Sequence, residues 1–347
     1  MRCSPLPSLP LRPAARTLTP VRRARPRRPS APVNWTSASV PGAIRRATRS
    51  SRRRCNRRRF SRRRPGARAP FPFLASDKHA PTPIPPHAHT LLVGDMHFGR
   101  GSAASEREKE AALVGCLRAH AGHAERLVLM GDVFDTYIEY RTLVPKGFAR
   151  FKGLLAEWTD RGVPVTYLTG NHDLWHRGYF ERELGVEVVP TRWTGRLAGR
   201  RAVLTHGDAY DSSDPLYPWI RPLLRSRAVT DLYRRALPAG GALALAQAFN
   251  QRFHEEQIEP KRVQALHRAA RRMLRRTSAQ LVVMGHSHQP ERRVGPAGTY
   301  LNTGAWHTGR TFARLSPGNA PRLFRWNGTR AVGIEALEHR PSHVRTS

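Results

Sequence analysis

The chain has 347 residues, of which 60 are Lys or Arg and 25 are Asp or Glu, so its formal net charge at pH 7 is +35. Its three cysteines are too few for a disulfide framework, which fits a reducing cytosol, and no apolar run approaches the length of a membrane span. These properties argue against a disulfide-stabilised secreted domain and against a membrane-spanning protein. The length is sufficient for one large domain with a substantial core.

The amino-terminal part has a composition of its own. The first 76 residues contain 21 Arg, no Asp or Glu, and many Pro and Ser. Such a segment cannot bury a core, so residues 1–85 are predicted to be a disordered Arg/Pro-rich tail. It fits a salt-dependent nucleic-acid contact, a transit peptide or an over-long reading frame that is not native. We favour the last, because the predicted domain begins only near His89 and no Met lies between Met1 and Met96.

Five apolar runs in the rest of the chain predict buried strands. They cover residues 90–94, 126–131, 163–170, 201–205 and 280–285. Polar residues follow each run directly, and in α/β folds such residues gather at the carboxyl edge of a sheet. Four glycines precede them where each strand is expected to turn sharply: Gly94, Gly131, Gly170 and Gly285. A helix is predicted over 105–120, with Cys116 as a small buried hydrophobe.

The polar residues after the runs predict a metal site. Carboxylate, amide and imidazole groups are ligands for Mn²⁺, Fe or Zn²⁺, and two ions about 3.5–4 Å apart need one bridging carboxylate. We predict Asp132 as the bridge. The remaining ligands divide into Asp95, His97 and His288 for one ion, and Asn171, His206 and His286 for the other. Taken singly, each pattern is typical of a turn or a cap, but their order along the chain favours two divalent ions, with Mn²⁺ preferred.

His172 is predicted to be catalytic. It follows the ligand Asn171, which allows it to face the leaving group as an acid. Asp135, three residues after the bridging Asp132, is predicted to hold the His172 ring in one orientation.

Together the five clusters resemble the signature of the calcineurin-like metallophosphoesterase superfamily. The resemblance covers residues 89 to about 310. It implies an α/β fold of the four-layer α/β/β/α type over residues 86–331, followed by a tail over 332–347. It also implies a dinuclear centre and in-line attack by a metal hydroxide on a phosphoester or pyrophosphate.

A narrower resemblance is to the UDP-2,3-diacylglucosamine diphosphatases of lipid A synthesis. It is carried by residues 131–135, 139–148, 173–180, 206–221 and 304–308. It implies a UDP-linked glycolipid substrate, cleaved to UMP and 2,3-diacylglucosamine 1-phosphate. It also implies that Asn171, Asp214, Tyr217 and Arg221 bind this substrate. The chain departs from the best-known branch of these enzymes at His172, where that branch has Arg.

The long segment between His206 and His286 predicts an insertion over residues 214–277. Helices are predicted over 242–253 and 260–276, with a break at 238–241. The second helix carries an apolar stripe that suits ordinary packing on the sheet. The alternative is a helical lid over an acyl-chain groove, with a basic rim that contacts an anionic membrane surface. The enzyme would then be cytoplasmic and peripheral to the inner face of the cell membrane.

Other functions remain open on these residues. The same metal site serves phosphomonoesterases, nucleotide phosphodiesterases and nucleases, and a nucleic-acid-binding protein could use the same scaffold. The intact ligand set argues against the last, and no specific nucleic-acid partner is expected.

Overall fold

The structure is a computed structural model and describes residues 88–211, 216–252 and 258–334. The predicted tail over 1–85 and the predicted substrate residue Asp214 lie outside the described residues, as do residues 335–347. No helix in the described ranges is both long and apolar enough to cross a membrane.

The described residues form twelve strands and eight α-helices. The strands are β1 (His89–Val93), β2 (Ala124–Leu129), β3 (Val165–Leu168), β4 (Glu187–Val189), β5 (Arg192–Leu197), β6 (Arg200–Thr205), β7 (Leu281–Met284), β8 (Pro290–Gly295), β9 (Gly298–Thr303), β10 (Thr311–Leu315), β11 (Arg322–Trp326) and β12 (Ala331–Ile334). The helices are α1 (Ala103–His120), α2 (Ala149–Asp160), α3 (Tyr179–Leu184), α4 (Tyr217–Leu224), α5 (Arg227–Ala236), α6 (Ala239–Arg252), α7 (Pro260–Arg276) and α8 (Trp306–Gly309). All five predicted strands are present, as β1, β2, β3, β6 and β7.

The strands pair into two sheets. The larger sheet has the order β12-β11-β10-β1-β2-β3-β4, and the smaller has the order β5-β6-β7-β9-β8. In the larger sheet β1 to β4 are parallel, and in the smaller sheet β6, β7 and β9 are parallel. Because parallel strands end at the same edge of a sheet, the residues that follow β1, β2 and β3 are brought together, as are those that follow β6 and β7.

Side chains alternate between the two faces of each sheet, as the two-residue period of a strand requires. In β1, Leu91 and Val93 pack beneath α1, α2 and α3, whereas Leu92 packs between the two sheets. In β7, Val283 faces the space between the sheets and Val282 faces α7. The predicted four-layer α/β/β/α sandwich is therefore confirmed.

Helix α7 belongs to the outer layer of this sandwich. Its predicted apolar stripe is buried against the smaller sheet, with Leu266 fully buried among Val203, Val282 and Tyr300. The predicted lid over 214–277 is therefore too long at its carboxyl end. The part that lies apart from the sheets consists of α4, α5 and α6, and we call it the helical cover (residues 217–252).

Two further boundaries differ from the predictions. The predicted break at 238–241 is present at Pro238 but is shorter than predicted, because α5 ends at Ala236 and α6 begins at Ala239 and includes Gly240 and Gly241. Pro238 suits a position just before a helix, where its missing N–H costs no hydrogen bond. The predicted end of the domain at residue 331 is also wrong. Residues 332–334 pair with β11 in an antiparallel ladder, so they belong to the larger sheet.

Candidate metal centre

The seven predicted ligands converge at the carboxyl edges of the two sheets. Asp95 and His97 follow β1, Asp132 follows β2, and Asn171 follows β3. His206 follows β6 of the smaller sheet, and His286 and His288 follow β7. The two sheets face each other, so ligand loops from both border one site.

The backbone of this site is strained. Five of the seven predicted ligands have positive φ values: Asp95 (52°), His97 (46°), Asp132 (49°), His286 (66°) and His288 (60°). Non-glycine residues rarely adopt this conformation, and where they do they cluster at functional sites. This conformation occurs in the turns that carry these five ligands within four residues of the strand ends.

The predicted role of the glycines is corrected in part. Gly131 has a φ of +94° and takes part in the turn, but Gly94, Gly170 and Gly285 do not have positive φ values. At Gly170 the space is what matters, since a Cβ there would lie 1.9 Å from Asp132 Oδ1. The ligands themselves make most of the sharp turns, and the glycines leave room for them.

Asp132 lies at the centre of the ligand set. Its Oδ2 is 3.2 Å from His206 Nε2 and 3.9 Å from His97 Nε2. Its Oδ1 accepts a hydrogen bond from the backbone N–H of His172 at 2.9 Å. A carboxylate between two groups of histidines is in the position that a bridging ligand requires.

The other ligands fall into two groups around Asp132. On one side His206 Nε2 lies 3.1 Å from Asn171 Oδ1, and His206 and His286 form one cluster with Asp132. On the other side His288 Nε2 lies 3.3 Å from Asp95 Oδ1, and the His97 and His288 rings are 5.4 Å apart. The side chains thus form one group around His206 and another around His97, on either side of Asp132.

Second contacts fix the orientation of the rings. His206 Nδ1 bonds to the Met130 carbonyl at 2.9 Å, and His97 Nδ1 lies 3.3 Å from Asp135 Oδ1. Such bonds set which ring nitrogen faces the site. His172 Nδ1 bonds to the backbone carbonyl of Asp135 at 2.9 Å. Asp135 thus contacts His172 through its main-chain carbonyl, and its carboxylate lies against His97.

The donor set fits cations. Asp95 Oδ1 and His97 Nε2 are buried and make no hydrogen bond, and both atoms face the cluster. Burial opposes a charge on His206, yet Asp132, Asp95 and Asp208 raise its pKa to about 10. The buried carboxylates therefore draw a proton onto an imidazole. A divalent ion would supply that positive charge directly and would engage the two atoms that have no hydrogen bond.

Two of the predicted substrate residues lie beside this cluster. The Tyr217 hydroxyl donates to Asp208 Oδ2 at 2.9 Å, and Arg221 Nε donates to the same oxygen at 2.7 Å. Burial favours a neutral Asp208, but His206, Arg225 and Arg221 lower its pKa to about 2. The structure thus places Tyr217 and Arg221 on a carboxylate two residues after the ligand His206.

Sequence reasoning missed two members of the site. His286 Nε2 lies 3.0 Å from Asp211 Oδ2, and Arg262 Nε donates to the same oxygen at 2.7 Å. The His307 ring centroid is 4.8 Å from that of His97 and 4.9 Å from that of His288. His307 follows β9 by four residues, so the same pattern of strand, turn and histidine that identified the other ligands could have identified it. No comparable sequence pattern marks Asp211.

An apolar cavity lies next to the metal cluster. Its volume is about 390 Å³. It is bordered on one side by Phe98, which follows His97, and on the other side by α6 of the helical cover. The apolar side chains that line it include Phe98, Phe134, Ile138, Leu143, Val144, Phe148 and Leu243.

Comparison with known proteins gives the following matches. Residues 88–290 match the family model described as calcineurin-like phosphoesterase. A UDP-2,3-diacylglucosamine hydrolase of Porphyromonas gingivalis (strain ATCC BAA-308 / W83) is 37% identical over 148 residues, which are 42% of this chain and 56% of that protein. One of Pectobacterium carotovorum subsp. carotovorum (strain PC1) is 26% identical over 238 residues, which are 66% of this chain and 96% of that protein. The solved structure of Yfce, a phosphoesterase from E. coli, has a TM-score of 0.36 at 17% identity and covers 71% of this chain and 98% of its own.

Proposed function

Because this chain belongs to the calcineurin-like phosphoesterase family, we propose that it uses two divalent metal ions to hydrolyse the pyrophosphate of UDP-2,3-diacylglucosamine. The products are UMP and 2,3-diacylglucosamine 1-phosphate, which places the reaction in lipid A synthesis. The observation that carries the metal chemistry is the position of Asp132, within reach of histidines from both ligand groups. The substrate class is supported by relatives that are named UDP-2,3-diacylglucosamine hydrolases.

We assign the ligands as Asp95, His97 and His288 for one ion, and Asn171, His206 and His286 for the other, with Asp132 shared. When bound, such ions supply positive charge against the phosphate oxygens and lower the pKa of the attacking water. Mn²⁺ is the preferred ion, since hard carboxylate and borderline imidazole ligands suit it, with Fe or Zn²⁺ as alternatives.

His172 has the geometry of an acid for the leaving group. Its Nδ1 bonds to the Asp135 carbonyl, which can only accept, so this nitrogen carries a hydrogen. Nε2 is then the nitrogen that would give a proton to the leaving group when the ring is protonated. The contact through the main chain fixes the ring while Asp135 uses its carboxylate on His97. Asp135 therefore supports both a ligand and the catalytic histidine.

The lipid part of the substrate fits the apolar cavity beside the cluster. A cavity lined by aromatic and aliphatic side chains favours an acyl chain. The cavity lies between Phe98 and the helical cover, so an acyl chain bound there would contact Phe98, the residue that follows His97. We assign Asn171, Tyr217 and Arg221 to the sugar and phosphate end, together with Asp214 outside the described residues.

One assay tests the function. The purified full chain, loaded with Mn²⁺, is offered UDP-2,3-diacylglucosamine, an aryl phosphate diester and single-stranded DNA. We expect turnover of the UDP-lipid with release of UMP, and at least a 10³-fold loss in Asp132→Ala. Asp160→Ala removes an exposed acid from α2 and is the matched control, with unchanged rate. Turnover of DNA without turnover of the UDP-lipid would refute the proposed substrate.

The helical cover has the composition of a membrane-contacting surface. Five large apolar side chains on or next to it are exposed: Leu216, Trp219, Leu223, Leu232 and Leu245. Arg227 and Arg235 are exposed among them. Apolar side chains with basic neighbours favour the surface of an anionic bilayer. We propose peripheral contact with the inner face of the cell membrane, which would give a di-acylated substrate a route to the site.

Liposome flotation tests this contact. The wild-type chain is expected to float with vesicles that contain anionic lipid and to be released by salt. The double variant Trp219→Ala/Leu223→Ala should lose this association. Val294→Ala removes an exposed apolar side chain from β8, away from the cover, and should float like the wild type. Equal flotation of all three proteins would refute the assignment of the cover.

A further inference from the structure

We propose that Arg100 is a further substrate-binding residue, which binds the second phosphate of a pyrophosphate, and that His307 positions the Arg100 side chain. The inference rests on the proposed function, since it assigns a group to the phosphate that is not attacked. Neither residue was among the predicted ligands or substrate residues.

The backbone on both sides of Arg100 is anchored to α1. The N–H of Gly99 donates to Glu106 Oε2 at 2.9 Å, and the N–H of Gly101 donates to Glu106 Oε1 at 2.7 Å. Glu106 is buried in the first turn of α1. Lys109 Nζ, one turn later, bonds to Glu106 and to the carbonyl of the ligand His97. The loop that carries Arg100 is therefore fixed to the same helix as the chain around His97.

The far end of the Arg100 side chain is held by His307. His307 Nδ1 lies 3.0 Å from the carbonyl oxygen of Asp95, which can only accept, so Nδ1 is the nitrogen that carries the hydrogen. Nε2 then presents its lone pair, and Arg100 Nη1 donates to it at 3.3 Å. The backbone N–H of His307 also donates to the Asp95 carbonyl at 3.1 Å, which fixes the residue that holds the guanidinium.

This arrangement puts a guanidinium at the border of one ligand group. The His307 ring contacts the rings of His97 and His288 edge to face, at centroid distances of 4.8 and 4.9 Å. A guanidinium has five N–H donors in a fixed fork, so a bond to His307 is compatible with a bidentate bond to a phosphate. Because both the backbone and the guanidinium of Arg100 are held in place, little conformational entropy would be lost when it binds a phosphate.

The simpler explanation is that the contacts of Arg100, including the one with His307, serve only to hold its loop in place. If that were its only role, the loss of Arg100 would change the affinities for ligands with one phosphate and for ligands with two phosphates equally. Binding to a second phosphate predicts such a distinction, and it also predicts that His307 acts only through Arg100.

The test measures binding rather than turnover. Isothermal titration of the full, Mn²⁺-loaded chain compares methylenediphosphonate, which has two phosphorus groups and is not hydrolysed, with methylphosphonate, which has one. Arg100→Gln is expected to weaken the diphosphonate about 10- to 100-fold, as the loss of a charge-assisted hydrogen-bonded pair implies, and the monophosphonate less than about 3-fold. Arg118→Gln removes an exposed arginine from α1 and should change neither.

The role of His307 is read from three variants. His307→Ala should match Arg100→Gln, and the double variant should be no weaker than either single one. His307→Gln offers an oxygen to Arg100 and should restore most of the affinity. Equal weakening of both phosphonates, loss of bound Mn²⁺ in Arg100→Gln, or additive effects in the double variant would each overturn the inference. Failure of the UDP-lipid assay would overturn the proposed function alone, because this titration needs no turnover.

Discussion

The candidate ligands occupy backbone conformations that cost stability. A non-glycine residue with positive φ costs on the order of 1–3 kcal/mol, and five of the ligands are in this state. The net stability of a domain is only about 5–15 kcal/mol. A chain adapted for folding alone would place glycine or asparagine at such turns. The aspartates and histidines at these positions are therefore better explained by what their side chains bind than by what they contribute to folding.

His172 shows why a position near the cluster does not by itself make a ligand. Its ring nitrogens lie with those of His97 and with the Asp132 carboxylate in one group that could hold a metal. We nevertheless expect His172→Ala to keep both ions, because Asp95 and His288 are available for the ion on that side. The rate with the UDP-lipid should fall by about 10²- to 10⁴-fold for a missing general acid. Metal analysis alongside steady-state kinetics measures both quantities, and a drop in metal content would make His172 a ligand instead.

His120 predicts a pH dependence of stability outside the metal cluster. Burial lowers its pKa, with Arg314 and His123 acting in the same direction, although its bond to the Cys116 carbonyl opposes the shift. A lowered pKa means that the folded state favours the neutral ring. The stabilisation is present above the unfolded value of about 6.5 and is lost as the pH falls through the lower folded value.

We therefore expect the free energy of unfolding to fall more steeply between pH 7.5 and 5 in the wild type than in His120→Gln, which does not titrate. Urea denaturation at several pH values measures this. His123→Gln removes one of the smaller causes of the lowered pKa, so its curve should lie close to that of the wild type and be slightly less steep. Parallel curves for His120→Gln and the wild type would show that this ring does not contribute.

At the scale of elements, the buried strands were the most predictable. Strands β1, β2, β3, β6 and β7 lie in the interior of their sheets, so the chain reads there as short apolar runs. Strand β5 lies at a sheet edge, and its alternating Arg192, Trp193 and Thr194 side chains are largely exposed or half-buried. Such a pattern gives no apolar run, and the same is true of β8 at the edge of the smaller sheet. These strands could be found only from their pairing.

The two interpretations of the insertion each fit a different part of it. Helix α7 is an ordinary packing helix, because its stripe meets the apolar outer face of the smaller sheet. The helical cover does not belong to either sheet's apolar layer and contacts the rest of the domain locally, for example from Trp175 Nε1 to the Leu224 carbonyl at 2.8 Å and between the Trp175 and Tyr233 rings at 4.8 Å. Helical periodicity alone does not show which surface a stripe will meet, so the sequence could not separate the two cases.

The difference between these helices predicts that substitutions in α7 and in the cover change the stability of the protein to very different extents. Leu266 in α7 is fully buried, and Leu266→Ala should cost about 2–5 kcal/mol of unfolding free energy. Trp219 in the cover is 82% exposed, and Trp219→Ala should change this free energy by less than about 0.5 kcal/mol. Urea denaturation with a common slope measures both. A similar small effect at Leu266 would mean that α7 is not a structural layer.

For the whole molecule, the sequence predicted which residues meet but not how they meet. The order of the five clusters along buried strands was enough to bring the ligands to one edge. The contacts of Asp135 and Asp211 depend on ring orientations and on loop paths between distant strands, such as the 75 positions that separate Asp211 from His286. No local pattern encodes such contacts, since each is set by the packing of the two sheets against each other.

Charge at the scale of the whole chain separates the two main functional alternatives. The first 76 residues contribute 21 of the formal +35, whereas every candidate ligand lies within residues 88–334. Removal of residues 1–85 is therefore expected to leave metal content and the rate with the UDP-lipid within about 2-fold of the full chain, by the usual small effect of changes remote from a site.

The same truncation should weaken binding to a polyanion. Affinity for single-stranded DNA falls with salt at a slope of about −0.7 per neutralised phosphate, so the loss of the arginines should make the slope several units shallower. Fluorescence anisotropy over a range of NaCl concentrations measures it. The full chain with the nine arginines at 52–54, 57–59 and 62–64 changed to Ser keeps the other twelve, so its slope should lie between those of the full chain and the truncation. An unchanged slope would show that the polyanion binds elsewhere, and it would favour the alternative of a nucleic-acid-binding protein on this scaffold. The exposed cations of α7 would then be the candidate contacts: Lys261, Arg268, Arg271, Arg272, Arg275 and Arg276.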